Sequence, residues 1–313
     1  MTIEVLRPGQ LTTVQDLGRR GCQHEGVPES GSMDAYAARL ANLLAGNDEG
    51  AALLEITLTG PTLRFTRAAT VALGGADFGA TLDGTLLAPW RSARVVAGAT
   101  LELGAAHDGC RGYLAVGGGI DMPPVLGSRS TCLAAAFGGH HGRALRAGDV
   151  LALGAAPAEA PRRTLAAAVR PTYRDSIRII PVPEMDWFDP DGRHALFAEP
   201  FTVTPRSDRM GYRLSGPRFA AGARAERPSS AVAMGTVQLP PNGEPIVLMA
   251  DHQTTGGYPV LGHVASVDLG SVAQLRPGAS LRFSPVSLDE AQRLYLERER
   301  ALASLRRGLL QSP

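Results

Sequence analysis

The chain has 313 residues, of which 44% are hydrophobic and 19% charged, and its net charge is +1 at pH 7. This length predicts about two domains with enough buried surface to fold without disulfides or a structural metal. The near-neutral net charge excludes the strongly basic surface of a typical nucleic-acid-binding protein. No apolar run reaches the ~20 residues that span a bilayer.

All 31 basic residues are arginine, because the sequence contains no lysine. A lysine nucleophile, a lysine general base and a Walker-type phosphate lysine are therefore excluded. Any bound anion must be held by arginine, backbone N–H groups or hydroxyls. The three cysteines (Cys22, Cys110 and Cys132) form no C-x-x-C pair, and the N-terminus lacks a signal-peptide pattern, so we expect a cytoplasmic protein with reduced cysteines.

Residues 33–45 are predicted to form the first helix. Ser32 can cap its start and Gly46 can end it. Apolar residues recur within it at helical spacing: Met33, Tyr36, Leu40 and Leu43.

Short alternating apolar runs separated by turn residues dominate the rest of the chain, which indicates a mainly β protein. Asp83-Gly84 predicts a hairpin with a two-residue type I′ turn. Residues 155–174, rich in Ala, Arg and Pro, fit a linker between two lobes.

Four short landmarks occur twice in the same order, which favours a tandem duplication. They are Leu58–Pro61 with Leu214–Pro217, Leu114–Val116 with Leu248–Ala250, Pro124–Gly127 with Pro259–Gly262, and Leu145–Gly148 with Leu275–Gly278. We predict an N-terminal β lobe over residues 1–160 that carries the helix at 33–45, a C-terminal β lobe over 175–286, and a final helix over 287–307. Ser287–Glu290 is a capping box for that helix.

The densest polar cluster, Asp251–Tyr258, follows the apolar run Ile246–Ala250. Its acid and imidazole can move protons, and its hydroxyls and glycine amides can bind an oxyanion or a phosphate. Such groups at the end of a buried strand would suit a catalytic or anion-binding site. The alternative is a polar strand end whose Asp and Thr cap turns.

Three further clusters give weaker signals, and each allows a functional and a structural interpretation. Arg209 within Ser207–Arg213 can bind a carboxylate or phosphate, or belong to a salt-bridged loop that enters the next strand. Thr12–Arg19 with Gly26–Asp34 offers polar groups before the first helix, where an anion can bind, or forms a long connection with ordinary capping. His140–His141 lies among glycines without a nearby acid or cysteine, which favours a flexible loop over a metal site.

Six motifs in chain order resemble the C-type subunit of bacterial ATP-dependent 5-oxoprolinase, in the wider allophanate hydrolase subunit 2 family of biotin-dependent carboxyltransferase-like proteins. They are T-T-V-Q-D-L-G-R, G-V-P-x-S-G-x-M-D, R-L-A-N-L-L, E-I-T-L-x-G-P, S-D-R-M-G-Y-R-L and M-A-D-x-Q-T-T-G-G-Y-P. The resemblance covers nearly the whole chain. It implies two cyclophilin-like β-barrel lobes, and a site at or near an interface with a B-type subunit.

The resemblance also implies an activity: opening of 5-oxo-L-proline to L-glutamate, driven by hydrolysis of ATP with Mg²⁺, in a complex with A- and B-type subunits. The same domain occurs in urea carboxylase, where CO₂ moves from carboxybiotin to a urea-like acceptor, and in an antagonist of a sporulation-kinase inhibitor. Both remain alternatives. Biotin would have to arrive on another protein, because this chain has no lysine, and a non-catalytic binding module could use the Arg-rich C-terminal helix as its interface.

On this resemblance and on residue chemistry, we predict Asp251 and His252 as catalytic residues that move protons. The predicted substrate-binding residues are Arg209, Tyr212, Gln253, Thr254, Thr255, Gly256, Gln15 and Asp34. Among them, the arginine would hold a carboxylate or phosphate, and the two threonines and the glycine amide would stabilise an oxyanion. His252 stands where many relatives carry arginine, and a protonated imidazole would bind an anion only weakly in its place. No metal ligands are expected in this chain.

Overall fold

The computed structural model describes residues 2–156, 162–183, 185, 190–219 and 228–311. It divides into two compact units. The first contains residues 1–20, 30–171 and 303–313, and the second contains residues 21–29 and 172–302. Within the described residues, no helix combines the length and the apolar character needed to cross a membrane.

The described residues include four α-helices: α1 (Ala35–Ala45), α2 (Pro190–Ala198), α3 (Leu269–Gln274) and α4 (Leu288–Gln311). The predicted start of the first helix is wrong by two residues, because Asp34 caps α1. The Asp34 carboxylate accepts a hydrogen bond from the Ala37 N–H at 3.1 Å. The Ser32 hydroxyl instead donates to the Asp16 carbonyl at 3.1 Å. The predicted end at Gly46, which is left-handed with φ of 87°, is confirmed.

The final helix, α4, has the predicted N-terminal cap. The Ser287 hydroxyl accepts the Glu290 N–H at 3.2 Å. The helix continues to Gln311, four residues beyond the predicted end. Of the predicted linker, residues 157–161 lie outside the described residues, and Ala167–Val169 forms a short 3₁₀ turn.

Two antiparallel sheets form the first unit. Its strands are β1 (Thr2–Arg7), β2 (Leu11–Gln15), β3 (Leu53–Thr57), β4 (Thr62–Phe65), β5 (Ala69–Asp77), β6 (Thr81–Leu82), β7 (Thr85–Leu86), β8 (Ser92–Val95), β9 (Thr100–Glu102), β10 (Asp108–Val116) and β11 (Val150–Ala152). The six-stranded sheet has the order β11-β1-β4-β9-β6-β7, and the five-stranded sheet has the order β2-β3-β10-β5-β8. One cluster of buried apolar side chains draws on both sheets, including Val5 and Leu63 from one and Ile56 and Leu114 from the other.

The predicted hairpin at Asp83-Gly84 is confirmed. Strands β6 and β7 pair in antiparallel register on either side of it, with Leu82 opposite Thr85. Asp83 and Gly84 both have positive φ, 47° and 77°, as a type I′ turn requires.

The second unit contains a closed barrel and a small two-stranded sheet. Its strands are β12 (Ser176–Pro181), β13 (Phe201–Val203), β14 (Gly211–Ser215), β15 (Ser230–Ala231), β16 (Thr236–Gln238), β17 (Ile246–Leu248), β18 (Thr255–Gly256), β19 (Val260–Val264) and β20 (Ser280–Pro285). The barrel has the order β12-β19-β16-β17-β14-β13-β20, and the parallel pairing of β12 with β20 closes it. Strands β15 and β18 form the small sheet. The prediction of a mainly β protein is confirmed. Of the two predicted β-barrel lobes, the second contains a closed barrel, and the described strands of the first form two separate sheets.

The two copies of a repeated segment have similar structures in one case and different structures in another. Leu145–Gly148 and Leu275–Gly278 each precede a strand, and both glycines have φ of 87°. Pro124–Gly127 and Pro259–Gly262 have identical sequences but different structures. The first lies in a tight loop where the Val125 N–H donates to Ser128 O at 2.8 Å, whereas the second runs into β19, which pairs with β16. Tertiary pairing, and not local sequence, decides the conformation of this tetrapeptide.

Candidate functional site

Strand pairing in the second unit brings the two main polar clusters of the sequence together. Strands β14 and β17 are antiparallel, with Gly211 opposite Leu248. The residues just before β14 therefore lie beside those just after β17. The Asp251 N–H donates to the Arg209 carbonyl at 2.8 Å, which extends the pairing beyond the strands.

Arg209 and Asp251 form a buried, bidentate ion pair. The Arg209 Nε–H donates to Asp251 Oδ2 at 2.9 Å, and an Nη2–H donates to Oδ1 at 3.1 Å. The residues are only 4% and 2% exposed. Two parallel bonds between a guanidinium and a carboxylate fix both groups in direction as well as in distance. The pair therefore holds the end of β17 against the start of β14.

His252 follows the ion pair and is 3% exposed. Its Nδ1 lies 2.5 Å from the Gln253 carbonyl oxygen. A carbonyl oxygen can only accept, so Nδ1 carries the hydrogen, and in the neutral imidazole Nε2 carries the lone pair. This assignment makes Nε2 the ring atom that can take up a proton.

The segment Gln253–Gly256 continues from the histidine to β18. The Gln253 side chain donates to Gln238 Oε1 at 3.4 Å. The Thr254 carbonyl accepts the Val232 N–H at 3.1 Å, and Thr255 and Gly256 pair with β15. The backbone of the two threonines is thus held by a neighbouring strand, and the Thr255 side chain is exposed.

Tyr212 is buried in β14. Its hydroxyl lies 3.4 Å from the carbonyl oxygens of Ala273 and Leu275, at the end of α3. These contacts tie the barrel wall to α3.

Gln15 and Asp34, the other two predicted substrate-binding residues, belong to the first unit. Gln15 is buried at the end of β2, where its Nε2 donates to Thr13 Oγ1 at 3.0 Å and to the Thr131 carbonyl at 3.2 Å. Asp34 is buried as the cap of α1. The structure thus gives both residues structural contacts within the first unit, and the remaining eight predicted residues all lie in the second.

A buried polar network beside Asp34 was not predicted. Glu55 Oε2 accepts hydrogen bonds from the Met33 N–H at 2.8 Å and from the Tyr113 hydroxyl at 3.0 Å. The Tyr113 hydroxyl in turn accepts the Asp34 N–H at 2.7 Å. Burial, with the charges of Glu55 and Asp34, raises the pKa of Tyr113 well above its usual value. In the sequence, this network is indicated by one feature of β3: Glu55 is an acid in a strand whose other residues are apolar or threonine.

The histidine loop has an acidic neighbour that lies outside its local sequence. His140 Nε2 lies 3.3 Å from Asp149 Oδ1, although nine positions separate the residues in the chain. Asp149 also accepts two hydrogen bonds from the Arg143 guanidinium, at 2.7 and 2.8 Å. Among the residues that the structure describes, no group of three or more His, Cys, Asp or Glu is arranged to hold a metal ion.

Residues 25–285 match the family model of the carboxyltransferase domain, subdomain A and B, and the chain belongs to this family. It is 40% identical over 306 residues to the C-type subunit of the 5-oxoprolinase of Haemophilus influenzae, covering 97% of this chain and 98% of that protein. Identity to the corresponding 5-oxoprolinase subunit of Escherichia coli is also 40%, over 97% of each chain.

Among solved structures, the urea carboxylase of Kluyveromyces lactis matches with a TM-score of 0.91 at 33% identity. The match covers 100% of this chain but only 30% of that chain. The chain therefore spans nearly the full length of the two C-type 5-oxoprolinase subunits and less than a third of the urea carboxylase.

Proposed function

We propose that this chain is the C-type subunit of an ATP-dependent 5-oxoprolinase, which opens 5-oxo-L-proline to L-glutamate and acts with A- and B-type subunits. The observation that carries the proposal is the 40% identity to two C-type 5-oxoprolinase subunits over nearly their whole length. The identity to these two subunits is also higher than the 33% identity to the urea carboxylase.

The proposed chemistry needs an energy source and proton transfer. A lactam is a stable amide, so coupling its hydrolysis to that of ATP makes ring opening favourable. Hydrolysis of the lactam consumes one water and hydrolysis of ATP a second. The leaving lactam nitrogen must gain a proton, which calls for a general acid–base group. ATP with Mg²⁺ is a substrate of the assembled enzyme, and this chain need not bind it.

His252 is the best placed of the predicted residues to transfer this proton, because its Nδ1–H is fixed on the Gln253 carbonyl. Arg209 and Asp251 act first on each other, so their main contribution is to position His252 and the segment after it. The substrate would bind along Gln253–Gly256, with its carboxylate and lactam carbonyl as hydrogen-bond acceptors.

The test measures 5-oxoproline-dependent release of ADP by this chain alone and by its mixture with the A- and B-type subunits of its source. We expect turnover only in the complete mixture. A mixture that assembles by size-exclusion chromatography and yet shows no turnover would contradict the proposal.

The second candidate is a carboxyltransferase subunit, which the TM-score of 0.91 to urea carboxylase favours. Since the chain has no lysine to carry biotin, this function requires a separate biotin carrier protein. Urea-dependent loss of CO₂ from a carboxylated carrier would support it, and the absence of any biotinylated protein among the co-purifying partners would count against it.

A further inference from the structure

Gln238, the last residue of β16, carries an unsatisfied hydrogen-bond donor. The residue is 1% exposed. Its Oε1 accepts the 3.4 Å hydrogen bond from Gln253, but its buried Nε2 has no hydrogen-bond partner. Nearly all buried polar groups in folded proteins are paired, so a buried amide N–H without an acceptor needs a specific explanation.

The backbone of Gly256 lies directly against this amide. A Cβ atom at position 256 would lie 2.5 Å from Gln238 Nε2, closer than real Cβ contacts allow. A side chain at position 256 would therefore force the Gln238 amide to move, whereas glycine leaves it in place. The unpaired N–H thus lies beside Gln253–Gly256, the segment along which we expect the substrate to bind.

The Gln253 side chain, which contacts the Gln238 amide, is weakly held. Gln253 is exposed to solvent, and its hydrogen bond to Gln238 is long. A ligand oxygen can displace this side chain at little cost, because water can satisfy the released Gln253 amide. A newly formed bond to Gln238 Nε2 would in contrast remove an unsatisfied donor. The Oε1 that loses Gln253 can accept from the N–H of a lactam or from water, so the exchange leaves both ends of the Gln238 amide paired.

We propose that Gln238 is a substrate-binding residue, whose Nε2–H donates to a carboxylate or lactam-carbonyl oxygen of a small ligand bound at Gln253–Gly256. This inference rests on the proposed function and adds to it a residue that fixes the position of the acceptor oxygen. It identifies the ligand class as a small carboxylate or cyclic amide, since both present oxygens that accept from an uncharged N–H donor.

The test compares Gln238→Met and Gln238→Glu with the wild-type chain in the three-subunit mixture. Met keeps the length of the side chain and removes the donor, and Glu keeps an acceptor for Gln253 but removes the N–H. Both should raise the KM for 5-oxoproline at least tenfold and leave the KM for ATP unchanged. Gly256→Ala should act in the same direction, because its methyl group would displace the amide.

The melting temperature separates this role from a structural one. The donor is unpaired in the free protein, so Gln238→Met should melt at the wild-type temperature or above it.

The matched control is Thr236→Val on the same strand. Thr236 Oγ1 is buried and bonded to the Ala233 N–H and to His263 Nδ1, both at 3.2 Å, so this variant should melt lower while both KM values stay unchanged.

Two outcomes would overturn the inference: a lower melting temperature for Gln238→Met, or equal changes in the KM values for both substrates. If the wild-type mixture shows no turnover, the proposed function fails, and the inference is then tested on the isolated chain. Millimolar 5-oxoproline should raise the melting temperature of the wild-type chain more than that of Gln238→Met, and equal shifts would contradict it.

Discussion

Arg209 and Asp251 compensate each other's charge inside the second unit through hydrogen bonds of 2.9 and 3.1 Å. Two charges removed from water are tolerated only while both are present in good geometry. Each of the two charged side chains is therefore required for the other to stay buried, whatever the pair adds to the chemistry.

Removal of Asp251 should destabilise the protein strongly. Asp251→Ala leaves the Arg209 guanidinium buried without its carboxylate, so we expect a loss of about 3–5 kcal/mol in the free energy of unfolding. Urea denaturation measures this loss. The double variant Arg209→Met/Asp251→Leu removes both charges and should recover most of it. Wild-type stability of Asp251→Ala would show that the pair contributes little, and any activity lost in that variant would then be chemical in origin.

His252→Asn should separate proton transfer from structure. The Asn side-chain N–H can replace Nδ1–H in the bond to the Gln253 carbonyl, but nothing replaces Nε2. If His252 transfers the proton, kcat of the assembled enzyme should fall about 10²–10⁴-fold. The unfolding midpoint should stay near that of the wild type. A variant that keeps more than half of the wild-type kcat would remove His252 from the mechanism.

Tyr113→Phe should change the alkaline stability of the protein. Burial raises the pKa of Tyr113 in the folded state, so above about pH 10 the unfolded chain releases this proton first. Wild-type stability should then fall with pH by up to ~1.4 kcal/mol per unit from this residue. The variant should be less stable by about 1–3 kcal/mol at pH 7, because the Asp34 N–H and Glu55 lose a partner.

The difference between the wild type and Tyr113→Phe should accordingly narrow between pH 9 and pH 11, as measured by urea denaturation. Tyr258→Phe is the control, since Tyr258 is 45% exposed. A constant difference across this range would argue against a raised pKa for Tyr113.

Asp149→Asn should show the opposite dependence on pH. The hydrogen bonds from Arg143 hold the pKa of Asp149 well below its usual range. Such a carboxylate stabilises the folded state above its unfolded pKa of about 4, and this contribution is lost as the pH falls further. The melting temperature of Asp149→Asn should be lower than that of the wild type at pH 7, and the two should converge toward pH 2.

The exposed Arg293–Glu290 pair on α4 supplies the control for this experiment. Surface ion pairs contribute little, so Glu290→Gln should melt at the wild-type temperature at every pH. A difference between wild type and Asp149→Asn that stays the same from pH 7 to pH 2 would contradict the lowered pKa of Asp149.

Local chemistry explains which features could be predicted from the sequence. The Asp83-Gly84 turn depends on backbone preferences of two adjacent residues, and the end of α1 depends on one glycine. The Arg209–Asp251 pair could not be predicted, because it depends on the antiparallel register of β14 and β17. The sequence around Arg209 allows an anion site or a salt-bridged loop, and only the fold shows that the carboxylate it meets is that of Asp251.

Long-range pairing also explains what was missed. Asp149 reaches His140 through a loop, and Glu55 meets Tyr113 across the pairing of β3 with β10. Gln238 carried no chemical signal of its own, because a strand-end glutamine is common. The same tripeptide, Thr-Val-Gln, ends β2 and forms β16, and in both strands the glutamine is buried with one unpaired amide atom.

The parallel pairing of β12 with β20 has a consequence for how the protein is synthesised. Ser176 of β12 pairs with Arg282 of β20, so the first strand of the barrel needs a neighbour that is the last barrel strand to be synthesised. Until β20 emerges, the nascent chain exposes one edge of β12 and one edge of β13, and exposed edges invite pairing with other chains. The barrel of the second unit therefore cannot close before β20 has been synthesised, and a translation product that stops short of β20 leaves an open, aggregation-prone sheet.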